Sequence, residues 1–478
     1  MKILYYNWIQ FDKKNNSGGG VSVYQKNLIE YLANNDTNEI YFLSSGIYYD
    51  IFRKDTYICK TKNIFKENCK TFKIVNSAST APFKAMYDEI DTYLNDETTY
   101  IILKEFIQQY GEFDVIHFNN IEGLSSKCLE IKKDFPNTKV IYSIHNYCLF
   151  CPQINLFFNN MSNCLDYENG TKCCKCLDAS VSKRKFITFY KIDGLFEKLH
   201  LYNLSDKIKL ISKKANKRLM RKKNYNENNN KLKNSEIYLK YRKSNIFRIN
   251  TYFDTVLAVS TRVKEIAINM GINSGKIYTN YIGTEFAKNS LDYANFDIQN
   301  EYLTIAYMGY FDKMKGYDFL ISALENLPEE LSKKIKFVCY AKIKNSEDEQ
   351  KVERINRLRE RLHSVNHYNG YSHRELPQIL SKINLGVIPV IWEDNLPQVA
   401  IEYVAHGVPI LCSDLGGAQE LSSSEYFVFK SGDMQDFINK LEMIINNKQL
   451  LNEYFKNKKK LTTMDEHMKE LLYFYGQE

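Results

Sequence analysis

The sequence of 478 residues predicts an α/β protein built from two doubly wound, Rossmann-like halves with a cleft between them. Three observations lead there. Short apolar runs alternate with amphipathic helical stretches, the pattern of a parallel sheet covered by helices on both faces. That alternation occurs twice, and it breaks off between roughly residue 147 and residue 250. A Gly-rich turn also follows the first strand and opens a helix, as in sheets that bind ligands at their carboxyl edge.

In chain order, "MKILYYNWI" reads as a short buried strand and "GGGVSVYQKNLIEYLANN" as a turn and helix. "NEIYFLSSG", "FDVIHFNN" and "TKVIYSIHN" are further strands, with a helix from about Ser125. Residues 147–180 are rich in Cys and Asn, and 181–250 are basic and helical in flavour. Alternation resumes with "TVLAVS", "TRVKEIAINMG" and "KIYTNYIG", then "EYLTIAYMGYFDKMKGYDFLISALENL" as strand, loop and helix. "KIKFVCY", "HYNGY", "INLGVIPV" and "GVPILCSD" complete the second set. The expected boundaries are 1–250 for the first domain, carrying both insertions, 251–455 for the second, and 456–478 for a final helix.

Composition narrows the functional classes. A hydrophobic fraction of 44% is ample for two cores, and no run approaches the roughly 20 apolar residues of a membrane span. The first residues lack the apolar region of a secretory signal, so a cytoplasmic protein is expected. The net charge of +8 is concentrated: residues 205–248 hold fifteen Lys or Arg against three acids, leaving the rest of the chain at −4.

The stretch "EDNLPQVAIEYVAHG" sets Glu393, Asp394 and Glu402 among residues that otherwise read as buried, where a carboxylate needs a partner or a ligand. A strand should end near Val390, a loop carry Glu393, Asp394 and Asn395, and a helix begin around Pro397. Asp394 would then sit at a helix mouth suited to an anion, with Glu402 inside the helix. The plainer alternative is that Asp394 caps the helix and Glu402 pairs with a basic neighbour.

"DNLPQVAIEYVAHGVPILCSDLGGAQE" resembles the E-x7-E region of retaining GT-B glycosyltransferases of family 4 (group 1), with Asp394 in the first acidic position. "YMGYFDKMKGYDFLISAL" resembles that family's phosphate loop, "SGGGVSVYQKNLIEYL" its Gly-rich loop, and "VIYSIHN" the strand delivering its active-site histidine. The matches run in family order over most of the chain outside roughly 150–250.

The resemblance implies an acceptor-side first domain, a nucleotide-sugar-binding second domain, and a last helix packed back on the first. It implies Glu402 on the nucleotide ribose, Asp394 facing the donor sugar, Lys315 on the diphosphate, and Gly309, Asn395 and Leu396 among the donor- or nucleotide-binding residues. Gly19 and Gly20 would let backbone N–H groups approach phosphate or sugar, and His145 would meet the sugar from the opposite domain; His117 is its rival by sequence. Gly309 is followed by Tyr310 where the family commonly has Arg, so one cation is missing unless Lys313 supplies it.

The reaction implied is transfer from a nucleotide-sugar donor to a glycan or lipid-linked acceptor in surface polysaccharide assembly, with no metal or other cofactor in catalysis. A catalytically silent subunit that stabilises a partner enzyme and a sugar-nucleotide epimerase are the rival readings.

Two features fall outside the resemblance. Six of the eleven cysteines lie between Cys148 and Cys176. Cys148-x2-Cys151 and Cys173-x2-Cys176 have the spacing of a structural zinc site. Cys151, Cys164, Cys173 and Cys176 are the candidate ligands, with Cys148 an alternative; reduced thiols and disulfides stay open. The basic segment reads either as a solvated insertion or as a contact for an anionic membrane surface, through Leu210, Ile211, Leu219 and Met220 among its cations. No nucleic-acid recognition motif accompanies the charge.

Overall fold

A computed structural model describes residues 1–11, 19–81, 89–177, 183–199, 235–294, 301–422, 424–456 and 458–477. Leu210, Ile211, Leu219 and Met220 lie outside the described residues, and so does most of the basic segment.

The first sheet is built on β1 (Lys2–Tyr6), β2 (Glu39–Ser44), β3 (Tyr57–Lys60), β4 (Cys69–Val75), β5 (Val115–Phe118) and β6 (Lys139–Ile144). A small hairpin, β7 (Phe157–Phe158) and β8 (Ser162–Asn163), stands apart from it. Two later strands, β9 (Thr255–Ala258) and β10 (Ile277–Thr279), complete the sheet in the order β10-β9-β6-β5-β1-β2-β4-β3. Every pairing is parallel except β3 on β4 at the edge. Ile3, Leu4, Tyr5 and Tyr6 are all buried, as a central parallel strand covered on both faces requires. The chain starts in the middle, winds outward through β2, then returns to the other side at β5. That reversal leaves a crevice at the carboxyl end of β1, where the helix Gly19–Ala33 begins.

The second sheet runs β13-β12-β11-β14-β15-β16, all parallel. Its strands are β11 (Leu303–Gly309), β12 (Ile335–Ala341), β13 (Ser364–Tyr368), β14 (Leu385–Ile388), β15 (Ile410–Ser413) and β16 (Val428–Phe429). Here the reversal falls between β11 and β14, so the second crevice opens beyond Gly309 and Ile388.

The boundary expected at residue 250 is corrected by this topology. That boundary puts β9 and β10 in the second domain, yet β9 pairs with β6 (Ile141 opposite Thr255) and belongs to the first sheet. Periodicity identifies a strand, but not the sheet edge that needs its hydrogen bonds. The unsatisfied edge of β6 takes it, and the crossing to the second domain follows Thr279. The end of the basic segment is also corrected. Residues 235–248 lie in the packed helix Ser235–Tyr252, where Arg242 and Arg248 are buried and Arg248 Nε donates to Glu130 at 2.8 Å.

The chain crosses back at its end. The helix Met464–Tyr475 opens on a capping box of Thr463 and Glu466 and buries Met464, Met468, Leu471 and Tyr475 against Ile3, Tyr5 and Leu28. Polar contacts fix its register. Tyr24 Oη donates to His467 Nε2 at 2.7 Å, because His467 Nδ1 donates to the Tyr281 carbonyl at 2.8 Å. His117 is held on both ring nitrogens, by Tyr475 Oη and Ser143 Oγ, each at 2.7 Å.

Burial pushes His145 down to about 3, His467 down to about 4 and His117 well below the ordinary histidine range. All three are neutral when folded. The unfolded chain takes up their protons below about pH 6.5, so they erode stability as pH falls from there toward the folded values. Between pH 7 and 5, His467 alone should contribute a loss on the order of 2 kcal/mol. Thermal unfolding followed by circular dichroism should show this loss, and His467→Gln should flatten the pH dependence of the midpoint. An equally steep profile in that variant would contradict the assignment.

Candidate functional site

The three acids of "EDNLPQVAIE" have three different fates. Glu393 is fully buried and accepts from Arg262 Nη2 at 2.6 Å and Nε at 3.0 Å. The Gly416 N–H donates to the same carboxylate at 2.9 Å. Arg262 lies on the helix Thr261–Asn269, after β9, so this two-pronged ion pair ties one domain to the other. The same helix opens against Glu420, which accepts from the Thr261 and Arg262 N–H groups at 3.0 and 2.7 Å.

Asp394 accepts from Lys315 Nζ at 2.5 Å, and Lys315 lies 5.6 Å from the centroid of the Trp392 ring. Lys315 comes from the loop after β11 and Asp394 from the loop after β14, so the second sheet's crevice brings them together. Two glycines permit the approach. A Cβ on Gly316 would stand 1.6 Å from the Pro389 carbonyl oxygen, and one on Gly416 would stand 2.1 Å from that of Asp394. Asp394 therefore does not cap the helix, which runs Gln398–Ala405 with Pro397 at its N-cap.

Glu402, also buried, accepts from Tyr371 Oη at 2.9 Å and lies 3.3 Å from His373 Nε2. Its hydrogen bond and charge raise the His373 imidazole above the ordinary histidine value. Burial, and then Glu402, raise the Tyr371 phenol. Sequence alone points to neither partner: both lie just beyond β13, and only the parallel sheet sets them beside Glu402.

The first domain reaches the same mouth at three points. Gln398 Nε2 donates to the Gly20 carbonyl at 3.2 Å. Asn395 Nδ2 donates to the Ile144 carbonyl at 3.4 Å, one residue before His145, while Ser260 Oγ donates to the Asn395 carbonyl at 2.8 Å. Asn155 Nδ2 donates to Met314 Sδ at 3.1 Å in the loop after β11. His145 lies 5.1 Å centroid to centroid from Tyr24 and donates through Nε2 to Asn119 Oδ1 at 3.1 Å. His117 is spent in the core, whereas the neighbouring strand brings His145 to the cleft.

The remaining candidates divide. Gly309 ends β11 and Tyr310 is exposed, with Lys344 Nζ 3.8 Å from its ring centroid. A cation thus stands over Tyr310 from the loop after β12, a placement that adjacency in sequence does not reveal. Lys313 is exposed and forms no side-chain contact in the Lys315–Asp394 pair. Leu396 is buried beside Ile401 and Leu421, so its side chain serves packing. Gly19 begins its helix at φ 63°.

Four buried polar atoms on these loops have no hydrogen-bond partner among the described residues: Asn119 Nδ2, Tyr147 Oη, Asn155 Oδ1 and Trp392 Nε1. Tyr147 lies within the field of Glu393 and Asp394, and Trp392 faces Lys315. Buried polar atoms of this kind call for a polar ligand or water. With Lys315 and the Gln398 mouth they suit an anion, and with Glu402 a hydroxyl-bearing group.

Residues 292–461 match the family described as glycosyl transferases group 1. An uncharacterized 41.2 kDa protein in the cps region of Klebsiella pneumoniae is 26% identical over 177 residues. That match spans 36% of this chain and 45% of the length of the curated relative. Three solved structures share the fold across nearly all of both chains. Sucrose-phosphate synthase from Thermosynechococcus elongatus has a TM-score of 0.58 at 14% identity, covering 100% of this chain and 98% of that one. HepE of Anabaena in complex with UDP has 0.56 at 12%, covering 100% of both. The lipopolysaccharide outer core galactosyltransferase WaaB, in its apo form, has 0.55 at 12%, covering 99% of both. The fold is GT-B, and the family match supports a group 1 glycosyltransferase.

The Arg262–Glu393 pair should be a large term in the stability of the domain junction. Arg262→Ala leaves a buried carboxylate unpaired and should cost about 3–5 kcal/mol. Urea unfolding of the single variant and of Arg262→Leu with Glu393→Leu tests this: the double change should be milder. A single variant as stable as wild type would contradict the assignment.

Proposed function

We propose that the chain is a retaining glycosyltransferase of family 4 that uses a nucleotide-sugar donor and works without a metal in catalysis. The observation that carries this reading is that Lys315 and Asp394 pair at the second crevice, with Glu402 on the helix that follows held by Tyr371 and His373. Gln398 and Asn395 beside them reach the Gly20 and Ile144 carbonyls of the first domain, the latter next to His145. In this reading Glu402, oriented by Tyr371 and His373, accepts hydrogen bonds from the ribose diol. Lys315 exchanges Asp394 for the diphosphate and stabilises the charge that grows as the sugar leaves. Asp394, so released, faces the donor sugar. His145, neutral and held by Asn119, offers Nδ1 as an acceptor toward that sugar. Lys344 over Tyr310 supplies the second cation. The complexes of HepE with UDP and with UDP-glucose support a uridine donor.

The relative from a cps region and the likeness to a lipopolysaccharide galactosyltransferase support a glycan or lipid-linked acceptor in surface polysaccharide assembly. No described helix is long and apolar enough to cross a membrane. Contact with an anionic membrane through the basic segment is part of the proposal, as is a cytoplasmic site. Tyr310 favours the rival reading of a silent subunit, which would bind nucleotide without turnover.

Glu402→Ala should weaken binding of UDP-sugar by roughly tenfold to a hundredfold, about 1.5–3 kcal/mol, in calorimetric titration of folded variant. Unchanged affinity and activity would make the carboxylate structural.

Lys315→Ala should lower turnover more than donor affinity, because its charge matters most in the transition state. His145→Ala should lower turnover while binding of free UDP stays intact, the ring belonging to the opposite domain. Hydrolysis of UDP-sugar without acceptor measures both. A large loss of UDP affinity in the His145 variant would contradict the division of labour.

A further inference from the structure

The segment between β6 and the helix Ser235–Tyr252 holds a second constellation, remote in chemistry from the cleft. Cys151, Cys164, Cys173 and Cys176 line one cavity, closed by Phe157 and Arg242. The hairpin β7–β8 brings Cys151 and Cys164 together, and Cys173 and Cys176 lie one helical turn apart on Thr171–Cys176. Cys148 is not among them: its sulfur lies 3.5 Å from Tyr142 Oη in the core of the sheet. Cys174 Sγ turns instead to the Gly170 carbonyl at 3.5 Å.

Three independent observations single the cluster out. Arg242 is 2% exposed, aims Nη2 at Cys173 Sγ at 3.0 Å and Nη1 at the Tyr238 carbonyl at 3.1 Å, and has no hydrogen-bond partner at Nε among the described residues. Its guanidinium stacks 4.0 Å from the Tyr167 ring centroid, and no carboxylate pairs with it among the described residues. A buried cation needs a counter-charge, which neutral thiols do not provide. Four thiolates around a divalent ion carry two net negative charges and do provide it. Second, the Asn159 N–H donates to Cys176 Sγ at 3.2 Å, so two sulfurs already receive donors, as metal-bound thiolates do. Third, the backbone is bent through left-handed φ at Ile154 (69°), Leu156 (49°) and Glu168 (47°), side chains that rarely adopt it. Such turns persist only where something over-determines them.

We propose that Cys151, Cys164, Cys173 and Cys176 bind one divalent cation of the zinc class, with Arg242 as its charge-balancing neighbour. Among the described residues, no three of these sulfurs converge closely enough to hold an ion at once. Cys176 Sγ donates to Gln153 Oε1 at 2.9 Å and Cys164 Sγ to the Asp166 carbonyl at 3.6 Å. Binding therefore releases four thiol protons and turns the sulfurs inward. The role is structural. The same segment carries Tyr147 and Asn155, whose backbone is pinned by the Tyr147 N–H to the Ile154 carbonyl (2.9 Å) and whose Asn155 side chain reaches Met314. A metal at its base would hold that reach across the cleft.

The test uses the full chain purified without chelator. Elemental analysis should find about one zinc per chain, and cobalt exchanged in its place should show the visible absorption of tetrahedral thiolate ligation. Cys173→Ser with Cys176→Ser should abolish both signals, while Cys148→Ser and Cys174→Ser should keep them. Arg242→Gln should retain the metal with affinity reduced tenfold or more. Wild-type protein with all eleven thiols free that takes up neither zinc nor cobalt on titration would overturn the proposal. So would cross-linking of these four residues as two disulfides.

Discussion

Arg262 holds Glu393 across the line where the two sheets meet, and most of the cleft's geometry hangs from that grip. The carboxylate is wholly buried, so it must be matched, and the guanidinium fork matches it at two nitrogens while Gly416 adds a third donor. Once Glu393 is fixed, the next residues have little freedom. The Asp394 carbonyl accepts from the Gly417 N–H at 2.8 Å, and the Asn395 carbonyl accepts from Ser260. The loop that presents Asp394 is thus bolted to the first domain on one side and to its own sheet on the other.

The neighbouring acids show how environment sorts identical chemistry. Glu393 meets a fixed guanidinium and becomes a strut. Asp394, with 10% of its side chain exposed, meets a lysine that is itself one-third exposed, a pair open to solvent on one side. Glu402 is buried but held by a phenol and an imidazole rather than by a guanidinium. Only the first of the three is locked by a guanidinium fork.

The parts of the chain that interrupt the doubly wound pattern also serve the cleft. The Cys-rich insertion leans Asn155 onto the loop after β11, and the last helix crosses back to seal the first domain through His467 and Tyr475. Both additions work through buried polar contacts, which specify one register where apolar packing alone would tolerate several.

Much of this was legible in the chain itself. Period-two apolar runs between amphipathic helices disclosed the parallel sheets, and "EDNLPQVAIE" disclosed carboxylates that burial would force into a role, because such local patterns act over a few residues. The paired spacing of Cys148 with Cys151 and of Cys173 with Cys176 pointed to a cluster, but only in three dimensions does Cys148 turn into the core while Cys164 joins the others around one cavity. Other matters were decided only in three dimensions. Which sheet claimed β9, which of His117 and His145 faced the cleft, and which acid found Arg262 depended on partners more than a hundred positions away or on a neighbouring strand. Tyr371, His373 and Lys344 joined the site for the same reason: parallel strands set their carboxyl ends side by side, however far apart the connecting helices place them in sequence.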